Sequence, residues 1–293
     1  MHKSGFVNIV GNPNVGKSTL MNLLVGERIS IATFKAQTTR HRIMGILNTP
    51  EMQICFSDTP GVLKPNYKLQ EQMLRFSESA LQDADILLYV TDMVETPDKN
   101  ADFLDKVAHL TVPILVLINK IDLSDQAALA DKVDQWKEAL PKAEVYPISA
   151  LHKFGVDMVL NRIKELLPES PPYFDKDQWT DKPARFFVTE IIREQILLRY
   201  DKEIPYSVEV VVEAFHDEPK LLRIEAVIYV ERETQKGIII GHQGAALKRV
   251  STQARHQLER FFNKHIYLQL FVKVDPDWRS SQRAMKLYGY DLD

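Results

Sequence analysis

Gly11-Asn12-Pro13-Asn14-Val15-Gly16-Lys17-Ser18-Thr19 follows an apolar, β-rich run at residues 6–10 and leads into an amphipathic stretch at 18–24. A strand, a turn with glycine at its first and sixth positions, and Lys-Ser opening a helix form the pattern of a loop that wraps phosphate. Its backbone amides converge on phosphate oxygens, and the helix N-terminus adds partial positive charge. Gly11 and Gly16 allow close approach where a side chain would hinder it. Lys17 is expected to reach the β- and γ-phosphates, and Ser18 to place its hydroxyl on Mg2+.

Outward from this loop, β-rich runs recur at 43–47, 53–56, 86–90, 114–118 and 145–148, with helical patterns that include 69–81 and 156–167. The alternation predicts an α/β domain over residues 1–167, its mostly parallel six-stranded sheet covered on both faces. The turn Asn48-Thr49-Pro50 predicts one antiparallel hairpin. Pro168, Pro171 and Pro172 break the pattern, and polar sequence follows, so 168–183 is expected to be a semi-rigid linker. Over 184–293 the order changes to helix 185–199, strands 207–215 and 222–230, helix 245–262 and strand 266–274, an α+β module. In the long helix, Leu247, Val250, Ala254, Leu258 and Phe261 recur on one side, with Lys248, Arg249, Arg255 and Arg260 on the other.

Composition narrows the class. The chain has 293 residues, 45% hydrophobic and 26% charged, which excludes fibrous and disordered proteins. A single cysteine, Cys55, precludes an intrachain disulfide and leaves no cysteine cluster for zinc. The longest aliphatic run, 112–118, is far short of the ~20 residues of a membrane span, and no signal-type stretch opens the sequence. A soluble, cytoplasmic protein is expected. The formal net charge of -3 conceals an asymmetry: residues 236–286 carry ten Lys and Arg against three acids. A basic C-terminal region on an acidic body suggests a polyanionic partner.

Two further motifs follow the loop in order. Asp58-Thr59-Pro60-Gly61 ends the third run, where the carboxylate can hold Mg2+ through water and the Gly61 amide can meet a γ-phosphate. Asn119-Lys120-Ile121-Asp122 ends the fifth, at the carboxyl edge where open α/β sheets bind ligands. Guanine presents N1-H and its N2 amino group as adjacent donors, which the two oxygens of Asp122 can accept. Adenine has no such pair and would leave a buried carboxylate unsatisfied, a penalty of ~1–3 kcal/mol. Asn119 can support the base edge, the Lys120 stem can cover the ring, and Ser149-Ala150-Leu151 can bring the Ala150 amide towards guanine O6.

With these motifs the sequence resembles the translation-factor-related class of GTPases over residues 11–151. The resemblance implies that a threonine of Gln37-Thr38-Thr39-Arg40-His41 completes Mg2+ coordination in the GTP state, Thr39 in preference to Thr38. Lys17, Thr39, Gly61 and Asn14 are then the expected catalytic groups, with Ser18, Thr39 and water-mediated Asp58 on the metal. Many small GTPases carry a Gln after Asp-x-x-Gly to orient water. Val62 stands there instead and can neither donate nor accept, so slow intrinsic turnover is expected. Potassium-activated relatives hold K+ with a P-loop Asn, which makes Asn14, supported by carbonyls of 28–34, a candidate for the same role.

In the second module, Gly241-His242-Gln243-Gly244 separates apolar sequence from the basic helix that begins near Lys248 and Arg249. It resembles the Gly-x-x-Gly loop of a type II KH domain, which clamps ~four nucleotides of single-stranded nucleic acid. Gly241, His242, Gln243, Gly244, Lys248 and Arg249 are the expected RNA contacts. Together, the P-loop GTPase domain, the Pro-rich segment and the type II KH domain resemble the bacterial Era-type GTPase family over nearly the whole chain. Residues 186–187, 191–194 and 204–207 share its features. That resemblance implies a monomeric switch that binds the 3′ end of 16S rRNA and assists small ribosomal subunit maturation, with nucleotide state controlling the association. It also implies peripheral attachment to the inner membrane, for which the sequence shows no anchor. A second reading is a GTP-dependent regulatory protein whose C-terminal module binds a protein or membrane surface.

Overall fold

The computed structural model describes residues 2–290. The chain divides into two compact units, the first running to Asp181 and the second beginning at Lys182. In chain order the first unit contains β1 (Lys3–Val10), α1 (Lys17–Val25), β2 (Ile43–Asn48), β3 (Met52–Asp58), α2 (Lys68–Gln82) and β4 (Ile86–Asp92). α3 (Ala101–Ala108), β5 (Ile114–Asn119), α4 (Gln126–Ala139), β6 (Glu144–Pro147) and α5 (Val156–Leu166) complete it.

The six strands form one sheet in the order β2-β3-β1-β4-β5-β6. Only β2 and β3 pair antiparallel, through the turn in which Thr49 N–H donates to Met52 O at 2.9 Å; the other pairings are parallel. β4 and β5 are buried along their whole length, as central parallel strands covered on both faces must be. α1 therefore rises from the carboxyl end of β1, and Asp58 and Asn119 end β3 and β5 at that same edge of the sheet.

The stretch expected to be a linker departs from that expectation. Residues 168–181 group with the first unit, and 178–181 run along its edge strand β2. Thr180 bridges Gly45, Ile46 N–H donates to Trp179 O at 2.9 Å, and Thr180 Oγ1 donates to Met44 O at 2.7 Å. β2 has an unpaired outer edge, and this strap satisfies its backbone groups. The side chain of Gln53, fully buried in β3, holds the strap: Nε2 donates to Phe174 O at 2.8 Å, while Oε1 accepts from the N–H groups of Tyr173 and Phe174 at 2.7 and 3.0 Å.

The second unit comprises α6 (Ala184–Arg199), β7 (Glu209–Asp217), β8 (Leu221–Val230), α7 (Glu233–Ile240), α8 (Ala245–Phe262), β9 (His265–Val274) and α9 (Gln282–Leu287). β8 is central, antiparallel to β7 and parallel to β9. Val188, Ile192 and Ile196 of α6 join Val250, Ala254 and Leu258 of α8 in a core against the inward residues of β8. The helix-first order, with α7 and α8 flanking the Gly-x-x-Gly turn, is the type II KH arrangement. Among the described residues no helix is long and apolar enough to cross a membrane.

Gln53→Ala removes partners from three backbone groups of the strap. It is expected to cost about 2 kcal/mol, read as a lower Tm, and to speed proteolysis within residues 171–181. Unchanged melting and cleavage would show that the strap is held otherwise.

Candidate nucleotide and nucleic-acid sites

A cavity of about 350 Å3 opens at the carboxyl edge of the first sheet. Its lining brings together Pro13, Asn14, Gly16, Lys17, Ser18, Thr19, Thr39, Thr59, Gly61, Asn119, Lys120, Asp122, Ala150 and Leu151 from the expected set. Gly11, Asn12, Val15, Asp58 and Ser149 lie behind this lining, buried. The loop residues Ala32 to Lys35 also line it, and Phe34 is 98% exposed.

Lys17 is buried, its ammonium donating to Gly11 O at 3.0 Å and Asn12 O at 2.7 Å. Burial pushes its pKa down to about 8, against the opposing pull of Asp58 and Glu95. Gly16 sits at φ +100°, and a Cβ there would fall 2.3 Å from Asn119 Nδ2. The glycine is thus required by its conformation and by the side chain behind it.

Ser18 Oγ donates to Asp58 Oδ2 at 2.6 Å and lies 2.9 Å from Thr39 Oγ1, which itself donates to Asp58 Oδ2 at 3.3 Å. Thr38 turns away, its hydroxyl bonded to Lys35 O and Thr33 Oγ1. Of the two threonines, it is Thr39 whose hydroxyl lies beside Ser18 and Asp58. Asp58 Oδ1 is buried without a hydrogen-bond partner, and burial raises the Asp58 pKa above the usual carboxylate range. Two hydroxyls beside a carboxylate that is costly to ionise fit a hard divalent cation, whose charge would offset that burial. Among the described residues no cluster of three or more His, Cys, Asp or Glu offers another metal site. Val62 is buried, with its N–H donating to Gly11 O at 3.0 Å, and its aliphatic side chain carries no group to orient a water.

Two details of base recognition depart from expectation. Asp122 is exposed rather than buried, so its desolvation must come from the base itself. Ser149 Oγ donates to Asp122 Oδ1 at 2.5 Å, and that bond, more than any other cause, holds the carboxyl below its ordinary pKa. The Ala150 amide donates to Asn119 Oδ1 at 2.9 Å and is thereby committed to the loop. Lys120 has φ +62°, and its ammonium meets Asp92 Oδ2 at 2.7 Å. Asp92 was absent from the sequence reading; a lone Asp at a strand end carries no signal until Lys120 is seen beside it.

In the second unit, Gly241 to Gly244 form a tight turn, with Gly244 N–H donating to Gly241 O at 3.1 Å. His242, Gln243, Lys248 and Arg249 are exposed, and the turn leads directly into the first turn of α8. Gly244 has φ +77°, and nothing lies within 4 Å of where its Cβ would stand. Lys248 and Arg249 line a second cavity of about 440 Å3 with Arg199, Ala245, Thr252 and Gln253. Arg199 belongs to α6, far from Lys248 and Arg249 in the chain, and only the fold brings it beside them.

Residues 6–120 match the family profile described as 50S ribosome-binding GTPase, and residues 203–279 match the KH domain. GTPase Era of Staphylococcus haemolyticus is 41% identical over 294 residues, an alignment covering 100% of this chain and 98% of that protein. The chain belongs to the GTPase Era family. GTPase Era of Geotalea uraniireducens is 42% identical over 291 residues, covering 99% of this chain and 98% of that protein. A solved structure of Era in complex with MgGDPNP and nucleotides 1506–1542 of 16S ribosomal RNA superposes with a TM-score of 0.95 at 38% identity, each chain covered in full. Aquifex aeolicus Era bound to GDP and AlF4- gives a TM-score of 0.94 at 38% identity, covering 99% of this chain and 100% of that one. This Era-family chain is a GTPase, converting GTP and water to GDP and phosphate.

Phosphate oxygens beside Lys17 would draw its lowered pKa back up, so nucleotide binding takes up a proton once pH passes about 8. GDP affinity is expected to fall about fourfold between pH 7 and 8.5, with proton uptake seen by calorimetry in buffers of differing ionisation enthalpy. Gly16→Ala should abolish nucleotide binding through its clash with Asn119, while the melting transition persists.

Proposed function

We propose that this chain is a GTP-driven switch that binds the 3′ end of 16S rRNA and assists maturation of the small ribosomal subunit. The observation that carries the reading is the exposed Gly-x-x-Gly turn at the head of α8, with Lys248 and Arg249 beside it, in a chain superposable on an Era bound to that RNA segment. Gly241 and Gly244 let a sugar–phosphate backbone approach the turn, His242 and Gln243 face it, and the amides of α8's first turn add positive potential.

In the first unit, Lys17 and the P-loop amides bind the phosphates, Asp122 reads guanine, and Ser18, Thr39 and water-mediated Asp58 hold Mg2+. The metal supplies charge neutralisation at the β- and γ-oxygens. The Gly61 amide meets the γ-phosphate, and its loss on hydrolysis releases Thr39 and the segment after Asp58. With Val62 unable to orient water, intrinsic turnover is slow. Asn14, exposed at the rim with φ +64°, would help hold a K+, which would supply the missing positive charge. Equal hydrolysis rates in K+ and Na+ would remove that last element.

Binding of a 16S 3′-terminal oligonucleotide should weaken steeply with salt, as phosphate contacts require. Gly244→Asp places a carboxylate in open space facing the strand and should weaken binding at least about tenfold, with Tm as the check on folding. Full-strength binding by this variant would point to another surface. RNA affinity equal in GDP and in a non-hydrolysable GTP analogue would overturn the switch.

A further inference from the structure

Between β4 and α3 lies a buried carboxylate, Glu95, that the nucleotide-binding motifs do not include. Its Oε2 accepts from Asn12 Nδ2 in the P-loop at 2.5 Å, and its Oε1 pairs with Lys99 at 2.5 Å. The Glu95 N–H donates to Asp92 Oδ1 at 3.1 Å, and Asp92 Oδ2 in turn holds Lys120 of the base-reading motif. Lys132 of α4 donates to Glu95 O at 2.9 Å. A carboxylate this enclosed needs its hydrogen bonds satisfied, and here they bind the P-loop to the loop after β4.

The other side of Asn12 is also occupied. Asn100 Nδ2 donates to Asn12 Oδ1 at 2.5 Å and to Val62 O at 3.3 Å. Asn100 stands at the N-cap of α3, where an Asn side chain ordinarily accepts from its own helix, yet it makes no such cap. Its amide is turned to the P-loop and to the residue following Gly61. A continuous path therefore runs from Lys120 through Asp92, Glu95, Asn12 and Asn100 to Val62, joining the base loop, the P-loop and the segment that senses the γ-phosphate.

We infer that Glu95 and Asn100 are positioning residues for the GTPase cycle, with Glu95 setting the P-loop and Asn100 setting the preference for GTP over GDP. Both nucleotides need the P-loop in place, so the Glu95–Asn12 bond serves both alike. Residues 58–62 lie against the P-loop through the Val62 N–H, which donates to Gly11 O at 3.0 Å, and a γ-phosphate met by the Gly61 amide depends on that arrangement, whereas GDP does not. Asn100 holds that closed arrangement through Val62 O, the longest bond of the path. The inference rests on GTP binding and hydrolysis alone and is independent of the RNA reading.

The test measures affinities of the full-length chain for fluorescent GDP and a non-hydrolysable GTP analogue, with Tm and the kcat and KM for GTP alongside. Asn100→Ala should leave GDP affinity within about twofold and weaken the analogue about fivefold. Asn100→Asp, isosteric but without the donor, should do at least as much. Glu95→Ala should weaken both nucleotides about tenfold, and Glu95→Gln, whose carbonyl can still accept from Asn12, should restore both. Equal losses for the two nucleotides in the Asn100 variants, a lower Tm with their affinity ratio unchanged, or Glu95→Gln as impaired as Glu95→Ala would each overturn the inference.

Discussion

From the end of β5, the side-chain amide of Asn119 donates to Val15 O at 2.8 Å and accepts from the Ala150 amide at 2.9 Å. Three loops are thereby tied to one buried group: the P-loop, the base-reading turn and the connection between β6 and α5. Breaking either bond would leave a backbone group unpaired in a dry interior, at a cost of ~1–3 kcal/mol. The same amide explains the bare backbone at position 16, because any side chain there would collide with it. Phosphate grip and base choice are in this way aspects of one packing constraint.

That constraint works because parallel strands end together. With β1 between β3 and β4, the loops that follow β1, β3 and β5 emerge at one edge, so Ser18 and Asp58, 40 residues apart in the chain, meet there with Thr39 from the segment before β2. Their cluster sits at low dielectric, where a carboxylate favours a cation strongly and unpaired charge is costly. Catalysis of phosphoryl transfer asks mainly for placement and charge compensation. Rigid supports behind the loops, among them the Glu95 network, therefore matter as much as the groups that touch phosphate.

The parts of the fold visible in sequence were those with strong periodicity. The apolar runs of β4 and β5, polar only at their carboxyl ends, announced a buried parallel sheet, and the one-sided apolar stripe of α8 announced a helix on a core. α4 went unnoticed because it buries little besides Trp136, leaving no stripe to see, although Asp125 caps it by accepting from the Ala128 N–H. α7 was masked by its run of isoleucines, of which Ile239 is buried and Ile238 exposed. The strap at 168–181 looked like a linker because its prolines and polar residues carry no period. What holds it is a sheet edge formed by residues over 120 positions earlier.

Residue identity and spacing were enough to indicate the chemistry expected of the loops: glycines where phosphate would approach, a lysine to reach it, a forked carboxylate for guanine, and a glycine pair ahead of a basic helix. These are local properties, since each follows from what a backbone and its neighbouring side chains can do within a few residues. Tertiary structure decided matters of proximity. It set the Thr39 hydroxyl, not that of Thr38, beside Ser18 and Asp58, bonded the Ala150 amide to Asn119, left Asp122 exposed, and brought Glu95 and Asn100 against the P-loop. A hydrogen bond depends on tenths of an ångström between groups that only the folded sheet brings together, and no short-range pattern encodes that distance.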